Sequence, residues 1–151
     1  MDSGKLLDLL LETADLKRLP RTGWLMRGVP HAESIAEHSF GTAFTALALA
    51  DALGANGSDG AALNLEKVLV MAVLHDLAEV RLTDLPKRAS DLVSDSVKSR
   101  VEATAMAELL APLADADRLR ALWQAFEDHA TPEGRLVRDA DKLEMMVQCL
   151  R

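Results

Sequence analysis

The segment VLVMAVLHDLAEV, residues 68–80, is apolar almost throughout, yet it contains a histidine, an aspartate and a glutamate. An apolar run of this length, without alternation of polar and apolar residues, predicts a buried helix. Burying His75, Asp76 and Glu79 among aliphatic side chains costs several kcal/mol unless each ionisable group has a partner. The segment therefore predicts a core helix that also carries a polar site.

Helical signals dominate the rest of the chain as well. Apolar residues recur at helical spacing behind Ser3, which we predict as an N-cap, and Ser34 with Glu37 forms a capping box. Loops are predicted over LPRTGWLMRGVPHAE and GANGSDGAA, residues 19–33 and 54–62. The predicted helices cover about residues 3–14, 34–54, 68–82, 91–110, 115–129 and 131–151. Because no segment shows strand alternation between turn signals, the sequence predicts an all-α bundle of about six helices.

The composition is that of a globular protein with an acidic surface. The chain has 151 residues, of which 49% are hydrophobic and 27% charged, and its net charge is -7. An acidic balance argues against broad nucleic-acid binding, which needs a basic surface. Cys149 is the only cysteine, which predicts a reducing, cytoplasmic compartment. The leucine-rich N-terminus is interrupted by Asp8 and Glu12, so it predicts neither a signal peptide nor a membrane span.

The three ionisable residues of the opening segment share one face if the helix is continuous. On a helical wheel Asp76 lies about 100° from His75, and Glu79 lies about 40° from it. The same arc carries apolar residues, so the polar groups continue a buried stripe. An isolated His–Asp pair is equally compatible with a hydrogen-bonded core histidine. Three groups on one buried arc favour a divalent metal, which supplies charge to the carboxylate and a partner to the imidazole.

Other ligands must come from elsewhere in the chain, which has three more histidines. His38 falls on an inward-facing column of the predicted 34–54 helix, and Gly41 lies one turn further along. A glycine there permits another group to approach the helix closely. His31 lies in a predicted loop and His129 at a helix end, where solvated or capping roles are the default.

Three segments, in this order along the chain, carry a resemblance to a known family: GWLMRGVPHAESIAEHS (23–39), LHDLAEVRLTDLP (74–86) and TPEGRLVRDADKLEMMVQ (131–148). Together they resemble the HD-domain metal-dependent phosphohydrolases. Within that family they look like the branch of the bacterial 5′-deoxynucleotidases and HD domain-containing protein 2. The resemblance implies a single HD domain over residues 1–151, with a metal site in its helical core. It also implies that relatives continue through a further C-terminal helix.

The resemblance implies four metal ligands: His38, His75, Asp76 and Asp141. Helical periodicity by itself slightly favours Asp139 over Asp141 as the inward-facing aspartate of the last helix. The family register of DADKLEM selects Asp141 instead. Two imidazoles and two carboxylates suit one divalent ion, drawn from Mn, Co, Zn, Fe, Ni or Mg.

The resemblance also implies the catalytic residues. Glu79 matches the family's catalytic glutamate, and Asp84 matches an aspartate that assists or protonates the leaving group. A metal-activated water, with a carboxylate that takes its proton, is the chemistry of phosphomonoester hydrolysis. The resemblance implies a nucleoside 5′-monophosphate as substrate, and among these it favours a deoxynucleotide.

Substrate contacts follow from the same resemblance. Trp24 matches a tryptophan placed against the sugar. The bacterial enzymes have an arginine immediately before it, where this chain has Gly23. Arg18, Arg21 or Arg27 is then expected to contact the phosphate, and we favour Arg21 and Arg27.

Competing interpretations remain at the level of sequence. A two-iron oxygenase site needs additional histidines between the doublet and the last aspartate, and only His129 is available there. A phosphodiesterase or another nucleotide hydrolase would use the same metal centre. A non-catalytic helical binding module with a structural metal belongs to a different class, and Glu79 argues against it. Apolar Met146 and Leu150 near the end of the chain favour a homodimer.

Overall fold

The computed structural model describes residues 2–54 and 62–150. Every regular element in these ranges is helical, apart from one isolated bridge between Pro20 and Ser34, which confirms the all-α prediction. Residues 55–61 of the predicted 54–62 loop lie outside the described residues. The α-helices are α1 Ser3–Ala14, α2 Thr22–Leu25, α3 Ile35–Ala52, α4 Leu65–Leu74, α5 Glu79–Leu82, α6 Lys87–Ser90, α7 Asp95–Leu110, α8 Ala116–Glu127 and α9 Pro132–Gln148.

The chain divides into two compact units, each made of two segments. The first unit comprises Met1–Glu37 and Asp76–Arg120, and the second comprises His38–His75 and Ala121–Arg151. The single-domain organisation stays a prediction. Across the described residues, none of the helices is both long and apolar enough to cross a membrane.

The second unit is organised around a core of small and aliphatic side chains. Helices α4 and α9 pack directly against each other. The fully buried Val68 and Ala72 of α4 meet Val137 and Ala140 of α9 in this core, and Phe126 of α8 closes it. Alanines at the helix contacts let the helices approach closely. Their small side chains leave room for the ridges of larger side chains on the facing helix. The packing holds α3, α4 and α9 together, and these are the helices that carry the ligand-type residues of this unit.

The first unit is tied together by an ion-pair network centred on α5. Arg81 of α5 donates from Nε to Glu12 of α1 at 2.6 Å and also donates to Glu108 of α7. The hydrogen bond from Arg81 lowers the pKa of Glu12 below its ordinary value of 4.5. A short 3-10 turn, Asp15–Lys17, follows α1 and contacts α5. These contacts fix the four-residue helix that begins at Glu79.

The predicted continuous helix over residues 68–82 is wrong. Helix α4 ends at Leu74, and α5 begins only at Glu79. The amide of Glu79 bonds to the carbonyl of Asp76 and that of Val80 to Leu77, which are bonds between residues three apart. Such bonds wind the chain more tightly than an α-helix. Asp76 and Glu79 therefore do not follow His75 on one α-helical face.

Two helix starts also differ from their predictions. Asp2 rather than Ser3 caps α1, since its side chain accepts a hydrogen bond from the amide of Gly4. The predicted 91–110 helix begins at Asp95, after the short α6. Serine and aspartate both favour caps, because their side chains satisfy the amides that a helix start leaves without partners. Several candidate caps lie close together at these two starts, so composition does not choose among them.

Other boundaries agree with the sequence. Ser34 and Glu37 form the predicted capping box, in which the Ser34 amide donates to Glu37 at 2.7 Å and the Glu37 amide donates to Ser34 Oγ at 3.2 Å. This hydrogen bonding lowers the pKa of Glu37. Thr131 caps α9 by accepting from the amide of Gly134 at 3.0 Å. Helix α3 ends at Ala52, two residues before Gly54, whose φ of +70° suits a residue without a side chain.

Candidate metal centre

His38 is held rigidly in the second unit. Its ring is completely buried, and Nδ1 lies 2.6 Å from Oε2 of Glu144 on α9. A carboxylate only accepts hydrogen bonds, so the ring donates from Nδ1. In its neutral form the imidazole then carries its lone pair on Nε2. The contact fixes both the tautomer and the orientation of His38.

His75 has the same arrangement through a different partner. The ring is buried at the end of α4, and Nδ1 lies 2.7 Å from the carbonyl oxygen of Ala72. A carbonyl also only accepts, so His75 donates from Nδ1 and its lone pair is on Nε2. Phe126 packs edge-on against the ring, with the centroids 5.9 Å apart. His75 is thus fixed between a helix carbonyl and an aromatic wall.

The two Nε2 atoms and a carboxylate converge on one point. Nε2 of His38 lies 3.4 Å from Nε2 of His75 and 3.1 Å from Oδ1 of Asp141. If both rings are neutral, three electron-pair donors face one another, which is unfavourable unless a positive charge lies among them. A divalent ion fits this donor set, since imidazole and carboxylate suit such ions and each ring is oriented through its other nitrogen. His38 and His75 belong to a group of side chains that could hold a metal ion.

The two aspartates of the last helix lie in different surroundings. Asp141, the aspartate that the family register selects, is half-buried, and its Oδ1 lies 3.1 Å from Nε2 of His38. Asp139 is exposed at the rim of a separate surface cavity that also involves Leu53 and Arg135. Helical periodicity slightly favoured Asp139 as the inward-facing aspartate. The packing of α9 on its neighbours instead places Asp141 beside His38.

Glu144 is a site residue that sequence reasoning missed. It contacts His38 Nδ1, and its side chain also packs against Gly41 of α3. A Cβ added at Gly41 would lie 2.7 Å from Oε1 of Glu144. The close approach predicted at Gly41 is therefore present, and the approaching group is this carboxylate. Glu144 lies one turn beyond Asp141 on the same helix, a spacing that could have suggested it.

Asp76 begins a segment of the first unit, directly after His75 in the chain. Its Oδ2 accepts a hydrogen bond from Nη1 of Arg21 at 2.9 Å, and both side chains are mostly buried. A charge-assisted pair of this kind is stronger than an exposed one because less water screens it. Of the arginines expected to bind phosphate, Arg27 is exposed, and Arg18 is exposed and paired with Asp15.

The segment that contains Trp24 is anchored by several polar contacts within the first unit. The Trp24 indole donates from Nε1 to Glu33 at 2.9 Å, and the side chain is half-buried. Asp84 accepts from the amide of Thr22 at 2.6 Å, at the start of α2. The amide of Arg21 also donates to the Glu33 carbonyl at 2.8 Å. Together these contacts hold Arg21 and Trp24 in defined positions.

Glu79 lines a cavity of about 200 Å³ within the first unit. The cavity wall is formed mainly by Leu82 of α5, by Leu85 just after that helix and by valines near or on α7, with Lys98 and Glu102 as its other charged residues. Burial raises the pKa of Glu102, and the Asp76 charge adds to this, while Lys98 opposes it. The predicted catalytic glutamate therefore faces a space that could admit part of a small molecule.

The remaining histidines match their default interpretation. His31 is exposed. His129 follows α8 with a φ of +52°, and its Nδ1 lies 2.9 Å from the Phe126 carbonyl oxygen. Arg138 also contacts the His129 ring. His129 therefore serves the turn between α8 and α9, which leaves the oxygenase interpretation without its additional ligand.

The chain carries a buried helical histidine, then a His–Asp doublet, then a later aspartate. A comparison with families of known proteins gives a match over the same residues. The family described as HD domain matches residues 13–151. The chain belongs to the HD-domain family. This HD domain is 33% identical over 145 residues to the 5′-deoxynucleotidase HDDC2 of Danio rerio, covering 95% of this chain and 67% of that protein. The chain thus spans about two thirds of the length of such relatives.

Solved structures agree with this assignment. A conserved hypothetical protein from Pyrococcus furiosus superposes with a TM-score of 0.80 at 39% identity, covering 94% of this chain and 78% of that one. A predicted metal-dependent phosphohydrolase from Magnetospirillum magnetotacticum has a TM-score of 0.72 at 26% identity, covering 93% of this chain and 67% of that one. Buried histidines and carboxylates of this HD domain form groups of side chains that could hold a metal ion.

Proposed function

We propose that this HD-domain protein is a metal-dependent phosphohydrolase that removes the 5′-phosphate of deoxynucleoside 5′-monophosphates. The observation that carries the proposal is the convergence of two Nε2 atoms and the Asp141 carboxylate in a buried position. The name of the Danio rerio relative supports the substrate class.

We propose His38, His75, Asp76 and Asp141 as the ligands of one divalent ion per chain. The geometry of the two histidines and Asp141 supports three of these, and Asp76 is bonded directly to His75. When bound, such an ion supplies Lewis acidity, which lowers the pKa of water and draws charge from a phosphate oxygen. Glu144 contacts Nδ1 of His38, so that Nε2, and not Nδ1, would be the ring atom that holds an ion.

Arg21 is the arginine that we propose for the phosphate. Its guanidinium is mostly buried and contacts Asp76, which places a fixed positive charge beside a proposed ligand. An arginine offers several parallel donors, so it can keep one bond to a carboxylate while donating others to phosphate oxygens. Arg27 is exposed and would serve only the outer part of the substrate.

Glu79 is proposed as the general base that takes a proton from the attacking water. It is half-buried and lines the cavity of the first unit, so the cavity gives substrate a route to its carboxylate. For Asp84, the hydrogen bond to the Thr22 amide supports a role in holding α2 and Trp24 in place. The proton transfer to the leaving group that the resemblance assigns to Asp84 stays a prediction.

Trp24 is proposed to contact the sugar. Its indole is fixed by the hydrogen bond to Glu33, so the ring cannot move aside without losing that bond. A ribose hydroxyl that meets the ring without a polar partner costs ~1–3 kcal/mol. We therefore expect deoxynucleotides to be preferred about tenfold in kcat/KM.

We also propose a cytoplasmic homodimer. The single exposed cysteine supports a reducing compartment. Apolar side chains at the end of α9 and beyond support self-association, with Met146 and Leu150 exposed at 66% and 87%. Size-exclusion chromatography with light scattering of the unsubstituted protein would test the dimer.

The proposed function is tested by phosphate release from a panel of substrates. The metal-loaded protein is assayed with deoxy- and ribonucleoside 5′-monophosphates, a 3′-monophosphate and a phosphodiester. We expect release from the 5′-monophosphates, lost after chelation. Release from the diester alone would identify a phosphodiesterase, and metal binding without any release would identify a binding module. Trp24→Ala should remove the deoxy preference, while Leu25→Ala in the same helix should retain it.

A further inference from the structure

Hydrolysis of a nucleoside 5′-monophosphate needs a proton for the leaving oxygen. The alkoxide at C5′ is a strong base, and a positioned acid accelerates such a step by about a hundredfold to ten-thousandfold. The resemblance gives this task to Asp84, whose Oδ2 accepts from the amide of Thr22 at 2.6 Å. Thr83 and Leu85 line the cavity that Glu79 faces, whereas Asp84 is not among the described residues of its wall. Asp84 is therefore engaged at the start of α2, apart from the cavity that contains the proposed base.

Glu102 of α7 lines the same cavity as Glu79. Its side chain is 21% exposed. The attacking and leaving oxygens of a phosphoryl transfer lie roughly in line on opposite sides of phosphorus, so a base and an acid must face one space from two directions. Two carboxyl groups that different helices contribute to one cavity satisfy this requirement. The cavity of about 200 Å³ is smaller than the about 300–1,000 Å³ that is usual for a whole ligand, so it suits the reacting end of the nucleotide.

The surroundings of Glu102 favour its protonated form. Burial raises its pKa above the ordinary value of 4.5, Lys98 offsets part of this effect, and the Asp76 charge raises the pKa further. Nζ of Lys98 lies 3.6 Å from Oε1 of Glu102, which is longer than the ~2.7–2.9 Å of a charge-assisted hydrogen bond. The lysine therefore does not hold the carboxylate in a tight ion pair. A carboxyl group that keeps its proton beside aliphatic side chains has the property that a general acid requires.

We propose that Glu102 is the general acid that protonates the leaving oxygen. The bond between phosphorus and the ester oxygen at C5′ breaks, its electron pair stays on that oxygen, and the Glu102 carboxyl group donates its proton to form the 5′-hydroxyl. Glu79 accepts one proton from the attacking water, whose oxygen forms the new bond to phosphorus. Proton exchange with solvent then returns Glu79 to the carboxylate and Glu102 to the acid. The inference rests on the proposed function, because it supplies a step of that reaction.

The test compares two leaving groups on the same nucleoside. In dTMP the leaving atom is oxygen, and in its 5′-phosphorothiolate analogue a sulfur atom replaces that oxygen. A thiolate is a far weaker base than an alkoxide, so it leaves without a proton. Glu102→Gln keeps the size of the side chain and removes the acidic proton. This variant should lower kcat for dTMP by about a hundredfold or more and leave kcat for the sulfur analogue close to that of the unsubstituted protein.

Three further variants control this comparison. Glu79→Ala should slow both substrates, because water attacks phosphorus in both. Asp95→Asn makes the same chemical change at an exposed position of α7 outside the cavity and should leave both rates unchanged. Glu102→Asp keeps an acidic proton on a shorter side chain, so it should retain part of the dTMP rate. The bound metal and the Tm of Glu102→Gln are measured in parallel and should equal those of the unsubstituted protein.

The outcomes separate the two proposals. Equal losses for both substrates in Glu102→Gln would overturn the role of Glu102, as would two unchanged rates. A loss confined to dTMP in Asp84→Asn, with both substrates unaffected in Glu102→Gln, would return the task to Asp84. If the unsubstituted, metal-loaded protein releases phosphate from neither substrate, the proposed function itself fails and this inference falls with it.

Discussion

The Nε2 atoms of His38 and His75 lie 3.4 Å apart in the second unit, although both rings donate from Nδ1. Glu144 accepts from one ring and the Ala72 carbonyl from the other. If both rings are neutral, neither has a proton to place between the two Nε2 atoms. The arrangement favours a cation between them. Removing the metal should therefore lower the stability of the surrounding core.

Replacing His75 should empty the metal site. In His75→Ala one of the converging nitrogen atoms is lost, so we expect less than a tenth of the metal content of the unsubstituted protein, which should hold about one ion per chain. Elemental analysis after gel filtration measures this, and thermal unfolding should show a lower Tm. His31→Ala, at an exposed position, is the control. Full occupancy in His75→Ala would contradict the assigned site.

The two aspartates of α9 provide a matched pair. Asp141→Ala removes the carboxylate that lies 3.1 Å from His38 Nε2, so metal binding should be lost. Asp139→Ala changes an exposed residue of the same helix and should retain the metal. Titration with Co²⁺, followed by its visible absorption, distinguishes the two. The reverse result would show that the family register is misapplied to this helix.

Glu144 should act as a positioning residue for His38. We expect Glu144→Gln to weaken metal affinity by about tenfold to a hundredfold, because the ring loses the carboxylate that orients it. Gly41→Ala should have a similar effect, since its Cβ would meet Glu144 Oε1 at 2.7 Å and displace that side chain. Gly23→Ala is the control, because a Cβ there meets no atom within 4 Å. Unaltered affinity in both Glu144→Gln and Gly41→Ala would refute this role.

Removing Glu79 should separate catalysis from metal binding. As a general base it contributes about a hundredfold to ten-thousandfold to the rate, so Glu79→Ala should lose activity to that extent. The metal content should stay near that of the unsubstituted protein, since Glu79 is not a proposed ligand. Parallel measurement of phosphate release and of bound metal checks both parts. Loss of the ion in this variant would instead make Glu79 a ligand.

The Arg81–Glu12 pair should make stability depend on pH. The Glu12 pKa is lowered below 4.5 in the folded chain by its hydrogen bond from Arg81. The pair therefore stabilises the fold fully above 4.5 and loses this effect as the pH falls through the lowered pKa. Because both side chains are about one third exposed, with 30% and 35% accessible, we expect Glu12→Gln to cost only about 0.5 kcal/mol at neutral pH. Urea unfolding should show this difference vanishing in acid.

Local signals in the sequence predicted the fold class and several helix boundaries. The capping box of Ser34 and Glu37 and the Thr131 cap depend on residues three apart, so their bonds form wherever the helix starts. The break after Leu74 was not predictable in this way. Aliphatic residues continue on both sides of it, and helical periodicity does not distinguish an α-helix from a chain that tightens for one turn.

The sequence by itself determined an all-α protein with His38 and His75 on buried helical faces, because helical spacing and burial are written in local residue patterns. The HD-domain family followed from the resemblance of three ordered segments, not from periodicity. Only the tertiary structure showed which distant side chains, Glu144 and Arg21, contact His38 and Asp76. Glu144 reaches His38 across 106 positions of the chain, and Arg21 reaches Asp76 across 55. Such pairs depend on how whole helices and loops pack, and a rotation of α9 by a fraction of a turn would exchange Asp141 for Asp139. Packing of aliphatic side chains in the core, rather than any property of the aspartates, selects that rotation.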